Sequence, residues 1–317
     1  MHASVPPMMP YAEWQAIAKT HRKRVEKWTI PYRSRRTKGQ LHPVHDFLFI
    51  YYRFAPAQLE HWHPEFGIAI EAPQTLKEYS EKYYSYNKQT LFLDADKIDK
   101  KSYKRLKWSL MLCRAVEQRP AQFGCFGMHE WAMVYQGGPE GRPRHEGKLA
   151  LRLPQETIDA LVENHLICCS HFDAFRFFTD TAKPFNKVFP TQDSRLHNEQ
   201  TGCLHTNMDL YKWAAKSMPW VGSALLWDTF SYAVQCREID MRASPYDCTP
   251  MSLEPIRIET KEGRAEYERE QRKLAKIGQP LRTRLINALE AVLNCKSVDK
   301  SEIKPRVSHK KLRLTPK

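Results

Sequence analysis

The chain has no Walker loop, no G-x-G-x-x-G, no HExxH and no G-x-S-x-G. Those absences remove the familiar nucleotide hydrolases, dehydrogenases, zincins and serine hydrolases. Its 8 cysteines, Cys113, Cys125, Cys168, Cys169, Cys203, Cys236, Cys248 and Cys295, form no CxxC pair and no Cys/His spacing of a structural zinc site. They read as reduced, mostly buried thiols of a cytoplasmic protein. No uninterrupted apolar run is long enough to span a bilayer, and the opening MHASVPPMMPYAEW lacks the charged start and apolar core of a secretory signal. The expectation is a soluble protein with no membrane partner.

What is present is a folded, strongly basic chain. Hydrophobic residues make up 42% of the 317 positions, enough for a sizeable core. Lys and Arg number 50 against 36 Asp and Glu, and a net charge of +14 points to a polyanionic partner, nucleic acid first. The length allows one large domain or two closely packed ones. Three regions are read: a basic N-terminal helix and loop (1–41), a catalytic core (42–253) and a charged helical region with a basic tail (254–317).

In chain order, 11–28 reads as an amphipathic helix with Trp14, Ile17 and Val25 on one face. The following PYRSRRTKGQ sets Arg33, Arg35, Arg36 and Lys38 in a dense basic loop, which is either a grip on phosphates or a solvated arm. Rings crowd 42–62, where Pro43 and Asp46 suit a helix start. Phe47, Phe49, Tyr51, Tyr52 and Phe54 suit a core, with Tyr51 or Tyr52 alternatively lining a base-stacking pocket. Short strands are expected at 66–71 and 90–93, and a helix at 97–118. Strands at 131–136 and 149–153 should flank a glycine-rich loop bearing Arg142 and Arg144.

A helix at 155–163 leads to the apolar run 166–169, read as a buried strand, after which Asp173 should cap a helix at 174–178. One helix is expected to begin at Thr206, and if it extends back to His205, that residue shares a face with Asp209. An apolar helix at 220–234 and a charged helical stretch at 254–294 complete the pattern. Together these give an α+β fold, a helix-rich single globular unit with a small central sheet.

Chemistry-bearing side chains gather beside the apolar segments: His129 with Glu130, His171 with Asp173 and Arg176, His205 with Asn207 and Asp209, and Asp240 with Arg242. Burial would perturb such carboxylates and make one a useful acid, base or cation stabiliser. The segments HPVHDFLFIYY, FGMHEWAMVYQ, HFDAFRFF, GCLHTNMDLYKWA and DMRASPYD resemble those of a bacterial family labelled 3-methyladenine DNA glycosylase, over about residues 42–247. That family resembles in turn the anti-phage, Brig-type glycosylases that excise modified bases. No L-P-G-x-G hairpin is present, so neither the helix-hairpin-helix fold nor its catalytic aspartate carries over.

The resemblance implies hydrolysis of the N-glycosidic bond of a flipped-out modified or damaged base in double-stranded DNA, without cofactor or metal. Asp240, with Asp209 and Asp173 behind it, is expected to stabilise the sugar cation or orient water. His171, His205, Asn207, His129, Glu130, Arg176, Arg242 and Tyr51 would bind the base, and Arg33, Arg35, Arg36, Lys38, Arg142 and Arg144 the phosphates. Lys212 is either an amine nucleophile or a surface lysine. Two rivals stand beside this reading: a non-haem iron oxidase on the same carboxylates and imidazoles, and a DNA-binding protein without catalysis.

Overall fold

A computed structural model describes residues 7–73, 76–138 and 149–296. Arg142 and Arg144 lie outside the described residues, as does the tail from 297. The fold is α+β, with one small sheet beside a larger helical body. The sheet contains β1 (Met8–Met9), β2 (Ala69–Glu71), β3 (Tyr84–Asn87) and β4 (Thr90–Leu93), in the order β1-β2-β4-β3. Only β1 and β2 run parallel; β2–β4 and β3–β4 are antiparallel. A two-residue loop closes the β3–β4 hairpin, with Lys88 at positive φ as such a turn demands.

The helical body forms around a buried antiparallel pair, α9 (Leu204–Lys216) and α10 (Gly222–Arg242), joined by the short link 217–221. Antiparallel packing sets the start of α9 beside the end of α10. It therefore brings His205 to Asp240 although 35 positions separate them in the chain. Two long helices, α4 (Lys100–Glu117) and α11 (Lys261–Cys295), pack on this pair and on each other. Gly278 of α11 permits the contact, because a Cβ there would stand 2.5 Å from the Tyr232 hydroxyl, which donates to the Leu274 carbonyl.

Several local expectations need correction. α1 runs from Tyr11 to Thr37 without yielding to Pro31, so Arg33, Arg35 and Arg36 stand on a helix and not in a loop. Its last turn is clamped: Arg33 forks onto Glu60 at 2.6 and 2.8 Å, and Arg35 binds buried Asp46. Residues 131–136 are not a strand. α5 (Met128–Ala132), which starts after left-handed Gly127 and is buried on all sides, ends there, and an uninterrupted apolar run carries no period to separate helix from strand.

The run 166–169 is extended but pairs only through an Ile167–Asn186 bridge. The Asn186 side chain takes the place of a neighbouring strand, its Oδ1 accepting from Cys169 N and its Nδ2 donating to Cys169 O. Leu151 likewise makes a single bridge, to Tyr246, in place of the strand expected at 149–153. α7 (Phe172–Phe175) starts two residues early, with His171 at the cap position, so Asp173 lies in its first turn and caps nothing. The sheet therefore carries none of the candidate site.

His63 gives the fold a pH dependence. Burial, with His61 and His21 nearby, lowers its pKa to about 3, while its Nδ1 is 2.8 Å from the Tyr84 hydroxyl. Between about 3 and the unfolded value near 6.5, the unfolded chain holds a proton that the native chain lacks. His63 thus stabilises the fold fully above pH 6.5, and the contribution is lost as pH falls toward 3, at no more than about 1.4 kcal/mol per pH unit. Thermal melts across pH 7 to 4 should show this slope, and it should flatten in His63→Asn.

Candidate functional site

Five helices converge on one narrow cleft. α2 (Phe47–Tyr51) supplies Phe47 and Tyr51, four apart on one face with rings stacked at 4.9 Å. α5 supplies Glu130, α7 supplies Asp173 and Ala174, α9 supplies His205 and α10 supplies Arg237; Met133 and Phe177 complete the wall. The cleft is a cavity of about 20 Å³, room for about one water molecule. A planar ligand enters only as side chains part.

Behind the cleft lie two ionic clusters. In the first, His129 Nε2 stands 2.7 Å from Asp240 Oδ1, and Arg237 Nη1 donates to Asp240 Oδ2 at 2.7 Å and to Glu130 Oε1 at 3.1 Å. His205 Nε2 lies 3.7 Å from the same Asp240. Burial opposes charge at this point, yet the imidazoles and the guanidinium hold the Asp240 carboxyl below its usual range, and Asp240 with Cys125 raises His129 well above an ordinary histidine. Burial takes His205 the other way, down to about 3, and its ring is neutral.

In the second cluster, Lys212 Nζ donates to Asp173 Oδ2 at 2.5 Å and to Asp209 Oδ2 at 2.9 Å. Arg195 of α8 (Arg195–Asn198) donates to Glu199 at 2.6 Å and to Asp209 at 3.2 Å, and Tyr52 donates to Asp209 at 3.0 Å. His171 Nε2 stands 3.3 Å from Asp209 Oδ2, while its Nδ1 is buried without a hydrogen-bond partner among the described residues. Burial alone would push Asp209 up; Lys212, His171 and Arg195 hold it well below the usual carboxylate range. The same ammonium lowers Asp173, and the two carboxylates in return outweigh burial and raise Lys212. Stacked rings of His171 and His205, 5.5 Å apart, join the clusters.

Among the described residues, two donor sets have the spacing to hold a metal ion: His129, His205 and Asp240, and His171, Asp173 and Asp209. Each already faces a protein cation. Arg237 neutralises the first, and Lys212 with Arg195 the second.

The expected residues thus divide. His129, Glu130, His171, Asp173, His205, Asp209 and Asp240 come together, and Tyr51 joins the cleft wall. Arg176 sits on the rim, half exposed, 3.3 Å from Asp173 and over the Phe177 ring. Asn207 faces away, its Nδ2 donating to Thr201 O and its Oδ1 accepting from Arg282. Arg242 is tied to the Glu254 carbonyl and to Glu266. Arg36 and Lys38 are exposed at the end of α1.

Arg237, Arg195 and Glu199 were absent from the expected set, and Lys212 is a buried cation, not a surface lysine. Their signal was the spacing of opposite charges at i,i+3 or i,i+4: Arg237 with Asp240, Asp209 with Lys212, Arg195 with Glu199. No protein-family model, curated protein or solved structure matches the chain.

Proposed function

We propose that the chain is a DNA glycosylase that hydrolyses the N-glycosidic bond of a modified or damaged base swung out of duplex DNA, in defence against phage. The observation that carries this reading is a partly accessible, ionised carboxylate among aromatic rings. Asp173 retains 15% side-chain exposure, while Asp209 and Asp240 retain 1% and 0%. Tyr51 and Phe177 offer stacking surfaces to a planar base, with Phe47 packed behind Tyr51. Neutral His205 offers a hydrogen bond to its edge.

On this reading Asp173, kept anionic by Lys212, faces the sugar, stabilises the oxocarbenium-like transition state and orients the attacking water. The cationic side chains behind the cleft accept the charge that develops on the departing base. Asp240 does not reach the sugar; it holds Arg237 and His129 in place. Arg33 and Arg35 bind within the chain, which leaves Arg36, Lys38 and Arg176 as the described candidates for phosphate contact.

Incubation with modified phage DNA should leave alkali-labile abasic sites, with EDTA present as without it. An activity that EDTA abolishes and iron restores is the signature of the oxidase and overturns the hydrolytic reading. Lys212 remains an ammonium and has no lone pair for attack, so the enzyme should be monofunctional. Borohydride added during turnover should trap no covalent protein–DNA adduct; a trapped adduct that Lys212→Gln removes would reassign that lysine.

A further inference from the structure

Among the buried groups of the cleft, one edge of Arg237 is left unexplained. The side chain is 2% exposed, and its Nη1 serves both Glu130 and Asp240. The other edge, formed by Nε and Nη2, is buried and has no hydrogen-bond partner among the described residues. A buried donor without a partner costs stability, about 1–3 kcal/mol for a neutral group and more for a charged one. Two on one guanidinium, in a cleft that otherwise pairs its charges, point to a ligand that supplies the acceptors. The guanidinium carbon lies over the Phe47 ring, 4.0 Å from its centroid.

We propose, resting on the reading of the cleft as a base pocket, that the Nε–Nη2 edge of Arg237 reads the base through two adjacent hydrogen-bond acceptors, with Glu130 beside it accepting an N–H of the same base. The side-on edge of arginine presents two parallel donors that match two neighbouring acceptors. Followed by a donor, that pattern occurs in cytosine (O2, N3 and the N4 amino group) and in guanine (N7, O6 and N1–H). Adenine sets a donor beside each acceptor on these edges. Thymine separates its two carbonyls by an N–H. Arg237 therefore selects cytosine- or guanine-derived bases.

The test is ligand-observed saturation-transfer NMR on the full chain with 1-methylcytosine, 9-methylguanine, 9-methyladenine and 1-methylthymine, each titrated to an affinity. At least one of the first two should bind about tenfold or more tightly than either of the others, the discrimination of one bidentate contact. Arg237→Lys keeps the charge, loses the fork and should level the four. Should that variant not fold, the ranking on the unaltered chain decides alone. Equal affinities, a preference for the adenine or thymine derivative, or no binding by any of the four overturns the proposal. No bond is cleaved in this experiment, so selective binding without base release would sink the glycosylase reading and leave the base-reading fork, and unselective binding by an active glycosylase would do the reverse.

Discussion

Asp173→Asn should lower the rate of base release about 10²–10⁴-fold, the range seen when one charged group is removed from the reacting centre. DNA binding should survive, because Arg36 and Lys38 stand at the end of α1 and Arg176, although it pairs with Asp173, keeps its charge, and so should the fold. Asp173 keeps a share of solvent, and an asparagine can still accept from Lys212 through its carbonyl oxygen. The measurements are single-turnover kinetics on modified DNA, a binding titration and a thermal melt on the same preparation. A variant that retains wild-type release moves the catalytic carboxylate elsewhere. One that loses its melting transition shows that Asp173 serves the fold instead.

Asp240→Ala should fail differently. The carboxylate is fully buried and pairs with Arg237 and His129, so its removal strips buried His129 of its anion and leaves Arg237 with Glu130 alone. Breaking such a pair from one side costs about 3–5 kcal/mol, because the partners keep their desolvation penalty and lose their attraction. For a chain of this size that is a fall in Tm on the order of 10 °C. Activity measured well below the lowered Tm should be impaired mainly through displacement of Arg237, as a weaker affinity for the flipped base more than a slower bond-breaking step. If Asp240→Ala melts as the unaltered chain does while its single-turnover rate collapses, Asp240 is the catalytic acid and Asp173 the positioning residue, the reverse of the roles proposed above.

Much of this site was legible in the residues because its chemistry is carried by types that rarely sit beside apolar runs without a purpose. His171, His205, Asp209 and Asp240 each adjoin such a run, and they converge. The long helices were legible for a related reason: α4, α9 and α11 carry a helical period and begin near where the pattern starts.

The sheet and the segment before the site were less so. Residues 131–134 are apolar at every position, and a helix buried on all faces erases the period that would reveal it. Cys169 satisfies its backbone through the Asn186 side chain, 17 positions downstream, which no local pattern signals. The ranking of the three aspartates depended on exposure, a property of packing and not of spacing. Lys212 looks like a solvated helical lysine until α7 is laid across α9.

The central claim is that the cleft lined by Tyr51, Phe47 and Phe177 receives a base and that Asp173 helps to cut it free intact. Mass spectrometry of the low-molecular-weight fraction, after reaction with modified phage DNA in the presence of EDTA, addresses it most directly. The account predicts an intact modified base, released in molar amounts equal to the aldehydic sites left in the DNA, and absent from reactions of the Asp173→Asn protein. A base that stays on the DNA in an oxidised form, or DNA bound tightly with nothing released, would contradict it.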